Sequence, residues 1–149
     1  MVLSWLESLL PLPALPPGVK LGLPNVAVIF ALYRMGPGAA AAISLVRVVL
    51  VTFTFGNAYA FFYSFAGAML SLALMCLLKA TGRFGVTGVS VAGGAGHNIA
   101  QIAVAAVILR NGALAGYLPV LLAAGTAAGC AIGAAAAALL QRVGRGEKD

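Results

Sequence analysis

The sequence predicts an all-α integral membrane protein, a compact bundle of about six transmembrane helices with a short first one. Three observations carry this prediction. Of 149 residues, 62% are hydrophobic and only 8% are charged, whereas a typical soluble domain carries roughly 25% charged residues. Mean hydropathy is +1.07. The few charged residues also punctuate apolar runs whose lengths match the bilayer core, about 20 residues for one helix. The chain forms one transmembrane domain, with no room for a soluble catalytic domain.

Taken in order, residues 1–10 read as the second half of a span whose beginning lies upstream or is missing. They lack a basic n-region and a small-residue cleavage site, so they do not read as a cleaved signal peptide. Residues 11–20, PLPALPPGVK, carry four prolines, which forbid helix and favour a stiff extended loop placed over the bundle. The span 21–33 is short, with Lys20 and Arg34 at its ends able to snorkel. Pro24 opens it, and Asn25 can cap backbone groups or face a ligand. The span 37–55 is interrupted only by Arg47. Spans 58–78, 85–109 and 112–140 contain no Lys, Arg, Asp or Glu inside them, and residues 141–149 form a basic tail. Tyr59, Phe61, Phe62, Tyr63 and Phe65 crowd one half of the fourth span, the usual place of an interfacial aromatic belt.

Nine Lys/Arg against three Asp/Glu give a net charge of +6. With the N-terminus inside, Arg34, Lys79, Arg83, Arg142, Arg145 and Lys148 fall on the cytoplasmic side. Lys20 and Arg110 fall outside. This bias predicts that both termini are cytoplasmic. Because the basic residues do not cluster with aromatics, nucleic-acid binding is not expected.

Packing signals are concentrated late in the chain. Gly125, Gly129, Gly133 and Ala137 recur every fourth residue, a small-residue ladder that permits close backbone approach, either within the bundle or to another subunit. Gly112 and Gly116 add a similar pair. Cys76 and Cys130 lie far apart in apolar runs without CxxC spacing, so reduced packing residues are expected. The fragment GGAG neither completes GxGxxG nor follows a strand, so no dinucleotide site is expected.

Ionisable groups at membrane depth are costly and usually face a partner or cavity. For Arg47 two readings stand. Glu7 is the only acid outside the tail and can form a structural ion pair with it, or Arg47 can bind an anionic group. His97 and Gln101 share a helical face, extended by Ser90 and Gly94, with Asn98 one residue round. These three side chains read as ligand contacts or as interhelical hydrogen bonds. A single His without Cys, Asp or a second His makes no metal site. No cofactor is expected. Asp occurs only at Asp149, so the paired carboxylates needed for Mg²⁺-dependent diphosphate chemistry are missing. There is no P-loop either. The chain is not expected to be an enzyme.

The segments PGVKLGLPNV, SLVRVVL, FFYSFAGAMLSLALM and AGHNIAQ, in this order and spacing, resemble a bacterial membrane family. It is named both the Gx transporter family and heptaprenyl diphosphate synthase component I. The resemblance runs from Glu7 to Leu140, and KLGLPN and HNIAQ are its most specific parts. It implies a fold like that of the substrate-binding (S) components of energy-coupling factor transporters, six-helix bundles of the cytoplasmic membrane. It implies capture of a small molecule, vitamin-like or related to isoprenoids and quinones, from the outside. A transmembrane coupling subunit and two ATPases would then be partners, alongside membrane lipid. Lys20, Asn25, Arg47, His97, Asn98 and Gln101 would form the ligand pocket. The synthase name implies instead a non-catalytic membrane component in heptaprenyl diphosphate and menaquinone synthesis. A structural subunit of a flavin- or quinone-linked redox assembly is a third reading. Fused to the C-terminus, green fluorescent protein is expected to fluoresce and alkaline phosphatase to stay inactive; the reverse pattern overturns the cytoplasmic assignment.

Overall fold

The computed structural model describes residues 24–55, 58–110 and 112–145, and all of their regular structure is helical. Helix α1 is Pro24–Arg34, α2 Pro37–Phe55, α3 Ala58–Ala80, α4 Val86–Leu109 and α5 Leu118–Arg145, with a 3₁₀ segment at Gly112–Tyr117 between the last two. The expected first span, residues 1–10, and the proline-rich loop, residues 11–20, lie outside the described residues. Among the described residues there are thus five α-helices.

Local chemistry places the boundaries. Pro24 and Pro37 each occupy the first helical position, where a missing N–H loses no intrahelical bond. Gly36 at φ 96° and Gly82 at φ 65° take the left-handed conformation just beyond α1 and α3, where a side chain is strained. The amides of Met35 and Gly36 both donate to the Ala31 carbonyl at 2.8 and 3.0 Å, closing α1 into its turn. Arg110 caps α4 with φ 47° and donates its N–H to the carbonyls of Ala106 and Val107.

The last span differs from expectation at both ends. Its α-helix starts at Leu118 instead of residue 112, because two glycines in the preceding segment weaken helix and Pro119 fits only a first turn. A side chain at Gly112 or Gly116 would meet nothing within 4 Å, so neither glycine marks a close contact among the described residues. At the other end the helix runs on through Arg145, so part of the expected tail is helical. Arg142 there lies at the negative end of the helix dipole.

The five helices form a closed ring in which each packs on its sequence neighbour and α5 returns to α1. The α4–α5 and α3–α4 interfaces are the most extensive. Glycines explain the first of these. A Cβ at Gly129 would lie 2.7 Å from the Val91 Cα, one at Gly133 2.6 Å from the Thr87 Cα, and one at Gly94 2.7 Å from the Gly125 carbonyl oxygen. The two backbones touch, running antiparallel. The apolar core fills the half of the ring nearer the α1–α2 and α3–α4 turns. There Val28, Ile29 and Leu32 of α1 are almost wholly buried against Ala40, Leu72, Met75, Val89, Ile132 and Ala136. Lys79 closes this end: its Nζ donates to the Leu32 carbonyl at 2.5 Å and sits 5.0 Å from the Tyr33 ring centre. Cys76 packs at the core edge, while Cys130 faces outward; both are free thiols.

The outside is apolar. Phe53 is 87% exposed, Val107 76% and Leu77 65%. Two stretches, Val86–Ile108 and Leu118–Gly144, are long and apolar enough to cross a membrane, and less than a quarter of either is buried in the protein. Shorter apolar stretches occupy Asn25–Arg34, Pro37–Leu50 and Ser64–Ala80. Replacing Gly129 by Leu is expected to cost about 1–3 kcal/mol by overpacking. Gly88→Ala, whose added Cβ would meet only Phe84 at 3.6 Å, is expected to shift stability by no more than about 0.5 kcal/mol. Thermal unfolding in detergent measures both.

Candidate functional site

Immediately beyond the apolar core, the ring brings polar side chains from three helices to one depth. Asn25 lies nine residues from the end of α1 and Arg47 ten from the start of α2. His97 lies eleven from the start of α4 and Gly67 thirteen from the end of α3. At 1.5 Å per residue, all four sit roughly 14–20 Å from the same end of the bundle.

The contacts are specific. The Arg47 guanidinium Nη1 donates to Asn25 Oδ1 at 2.5 Å. A charge-assisted bond of this kind is worth about 1.5–3 kcal/mol. His97 lies within electrostatic reach of Arg47. His97 and Gln101 both lean on α3 at Gly67, where an added Cβ would be 2.8 Å from the His97 Cε1 and 2.9 Å from the Gln101 Cγ. The mid-helix glycine leaves the room these two side chains occupy.

Asn98 belongs elsewhere. It is 100° round the helix from His97, and its Nδ2 donates to the Leu121 carbonyl of α5 at 2.5 Å. It also covers Gly125, whose Cβ would collide with its amide. The structure therefore gives Asn98 an interhelical bond and leaves Asn25, Arg47, His97 and Gln101 as the polar cluster. Ser90 is buried next to Gly133, on the α5 side. Lys20 and Glu7 lie outside the described residues, and with them the expected pocket contact of Lys20 and the expected Glu7–Arg47 ion pair. Gly67 is the residue that sequence reading overlooked. Its signal was a lone glycine inside an otherwise strong helical run, which usually marks a close contact.

Chemically, the cluster supplies a permanent cation in Arg47, a side-chain amide at Gln101, and an imidazole. Such a set suits an oxyanion. Among the described residues no three His, Cys, Asp or Glu side chains gather to hold a metal ion. Near the opposite end of α3, Phe61 stacks on Phe65 with centroids 5.7 Å apart and meets Phe62 edge-on at 5.8 Å.

A sequence profile for heptaprenyl diphosphate synthase component I matches residues 1–139, nearly the whole chain. The chain belongs to the heptaprenyl diphosphate synthase component I family. No curated protein and no solved structure matches it. In this family member, the Asn25–Arg47 bond joins α1 to α2 just above the core, and its strength is measurable. A double-mutant cycle with Asn25→Ala and Arg47→Gln is expected to give a coupling of about 0.5–3 kcal/mol in thermal stability; a coupling near zero shows that the bond contributes nothing.

Proposed function

We propose that this chain is a multi-pass, non-catalytic membrane component that works with a separate, soluble prenyl-transferring component. In this reading the Asn25, Arg47, His97 and Gln101 cluster receives the anionic head group of an isoprenoid ligand. The observation that carries it is the guanidinium of Arg47, held by Asn25 beside His97 at mid-bundle depth in a chain of this family. A diphosphate on an apolar tail matches such a site, because the head needs donors and the tail needs apolar walls. Catalysis falls to the partner. Prenyl transfer with Mg²⁺ needs clustered carboxylates, and the three acids of this chain are Glu7, Glu147 and Asp149.

Membrane placement is part of the proposal. The exposed apolar side chains and the two long apolar helices support it, since a surface this greasy is unfavourable in water by about 25 cal/mol per Å². Arg34, Lys79, Arg83 and Arg142 all lie at the end of the bundle where α1 meets α2. We assign that end to the cytoplasm of a bacterial cell, together with both termini, by the positive-inside bias.

A second reading has its own support. An interior polar cluster at mid-depth, below an aromatic group near the opposite end, also suits a substrate-capturing component of an energy-coupling factor type transporter. That role would require a coupling subunit and two ATPases, and a small water-soluble ligand in place of an isoprenoid one. The two readings separate cleanly in one experiment. Purified protein in lipid nanodiscs is titrated with farnesyl diphosphate and with inorganic diphosphate, and its native complexes are captured through a tag. The synthase reading expects prenyl diphosphate binding that weakens about tenfold or more in Arg47→Gln, as loss of one charge-assisted bond predicts, and co-capture of a prenyltransferase. Co-capture of ATPases with a water-soluble co-purifying compound supports the transporter instead. Prenyl diphosphate affinity unchanged in Arg47→Gln overturns the assignment of this cluster.

A further inference from the structure

The end of the bundle that carries Arg34, Lys79, Arg83 and Arg142 is stepped. Gly129 meets Val91 and Gly133 meets Thr87, so α4 and α5 run antiparallel in a register that sets Val86, the first residue of α4, level with about Ala134. Helix α5 continues eleven residues beyond that level, to Arg145, a rise of roughly 16 Å. Its last turns stand past the α3–α4 turn as a post, on which Gln141, Arg142 and Val143 are exposed. Beside the post, the α1–α2 and α3–α4 turns form a lower shoulder, tied together by Lys79 on the Leu32 carbonyl. Each turn presents an exposed arginine followed by a large apolar side chain in the open. Arg34 precedes Met35, which is 68% exposed, and Arg83 precedes Phe84, which is 49% exposed. Phe84 lies against the first turn of α4 at a glycine, since a Cβ at Gly88 would be 3.6 Å from its Cδ1. The described residues contain no Asp or Glu, so no carboxylate among them neutralises this end.

We propose that this stepped end is the surface on which the soluble prenyl-transferring component docks, through a face of that component that sets carboxylates around an apolar patch. The inference rests on the functional reading above, which supplies the partner. Opposite charge steers such an encounter and fixes its register, and an apolar centre inside a polar rim is the ordinary anatomy of a protein interface. The positive-inside bias accounts for basic residues at this end. It does not account for a Met and a Phe held open beside them in both turns. Lipid head groups surround the flank of a bundle, whereas its end face is open to a soluble molecule.

The test uses the full chain in nanodiscs of neutral phosphatidylcholine, mixed with the soluble fraction of its native cells and captured through a tag. Captured prenyl transfer activity is assayed with farnesyl and isopentenyl diphosphates. A photoreactive group is placed by Phe84→benzoylphenylalanine, or at the opposite end by Tyr117→benzoylphenylalanine, where the native side chain is 65% exposed. Position 84 is expected to cross-link to the captured prenyltransferase, identified by mass spectrometry, and position 117 to give no such product. Arg83→Glu combined with Arg142→Glu is expected to lower the captured activity about tenfold or more, as is 1 M salt, which cuts the screening length to about 3 Å. No activity captured by the unaltered chain overturns the functional reading and the docking face with it. Activity captured with a cross-link from position 117 but none from 84 overturns the docking face alone, even if the charge-reversed variant does not fold. Capture that requires added phosphatidylglycerol and ignores the charge reversal assigns the docking to lipid, and overturns it too.

Discussion

The backbone contact between α4 and α5 organises the molecule. Where Gly125, Gly129 and Gly133 lie against Gly94, Val91 and Thr87, no side chain separates the two helices. Close backbone approach of this kind favours van der Waals packing and interhelical hydrogen bonds. Asn98 adds one such bond across the same interface. With α5 fixed on one side of α4, the arc that carries His97 and Gln101 turns towards α3 and the ring interior. The same contact leaves Ile132 and Ala136 facing the buried residues of α1.

Helix α1 is the second determinant. Its described residues, Pro24–Arg34, rise about 16 Å along the helix axis. One end is pinned by Lys79 on the Leu32 carbonyl, and its middle is the most deeply buried apolar segment of the fold. The other end therefore arrives at mid-depth with Asn25 in place to bind Arg47. Arg47 and Asn25 belong to the α1–α2 hairpin, whereas Gly67, His97 and Gln101 belong to the α3–α4–α5 unit. The polar cluster occupies the seam between these two parts, whose mutual contacts are thinner than those inside the three-helix unit. A ligand bound at the seam touches both parts at once.

The division of labour proposed above follows from what such a bundle can and cannot supply. It offers a cation, an acceptor and an amide in apolar surroundings, a binding chemistry suited to an anionic head with a greasy remainder. Among the described residues there is no carboxylate cluster to hold Mg²⁺. Family membership assigns the chain to a synthase component, and in the proposed reading the cluster is the place where that component holds an amphipathic molecule.

Much of this was legible in the residues themselves. Hydropathy and the spacing of charges marked every described helix, because lipid demands long apolar segments with satisfied backbones. The fourth-residue glycine ladder announced a tight helix pair for the same local reason. Arg47 and His97 stood out because ionisable groups are rare at such depth. Partner choice was another matter. That Asn25 takes Arg47, that Asn98 turns to Leu121 instead of joining His97, and that Gly67 makes room for the imidazole all depend on helix rotation and relative depth. Those are fixed by contacts between segments far apart in the chain, to which periodicity within one segment is blind. Gly112 and Gly116 differ from the ladder: they lie in a 3₁₀ segment, and an added side chain at either would meet nothing within 4 Å. Sequence alone marked the five described α-helices, apart from the ends of the last, and the polar groups that needed partners; the tertiary ring decided who those partners are, because only close packing brings groups from different helices within bonding distance.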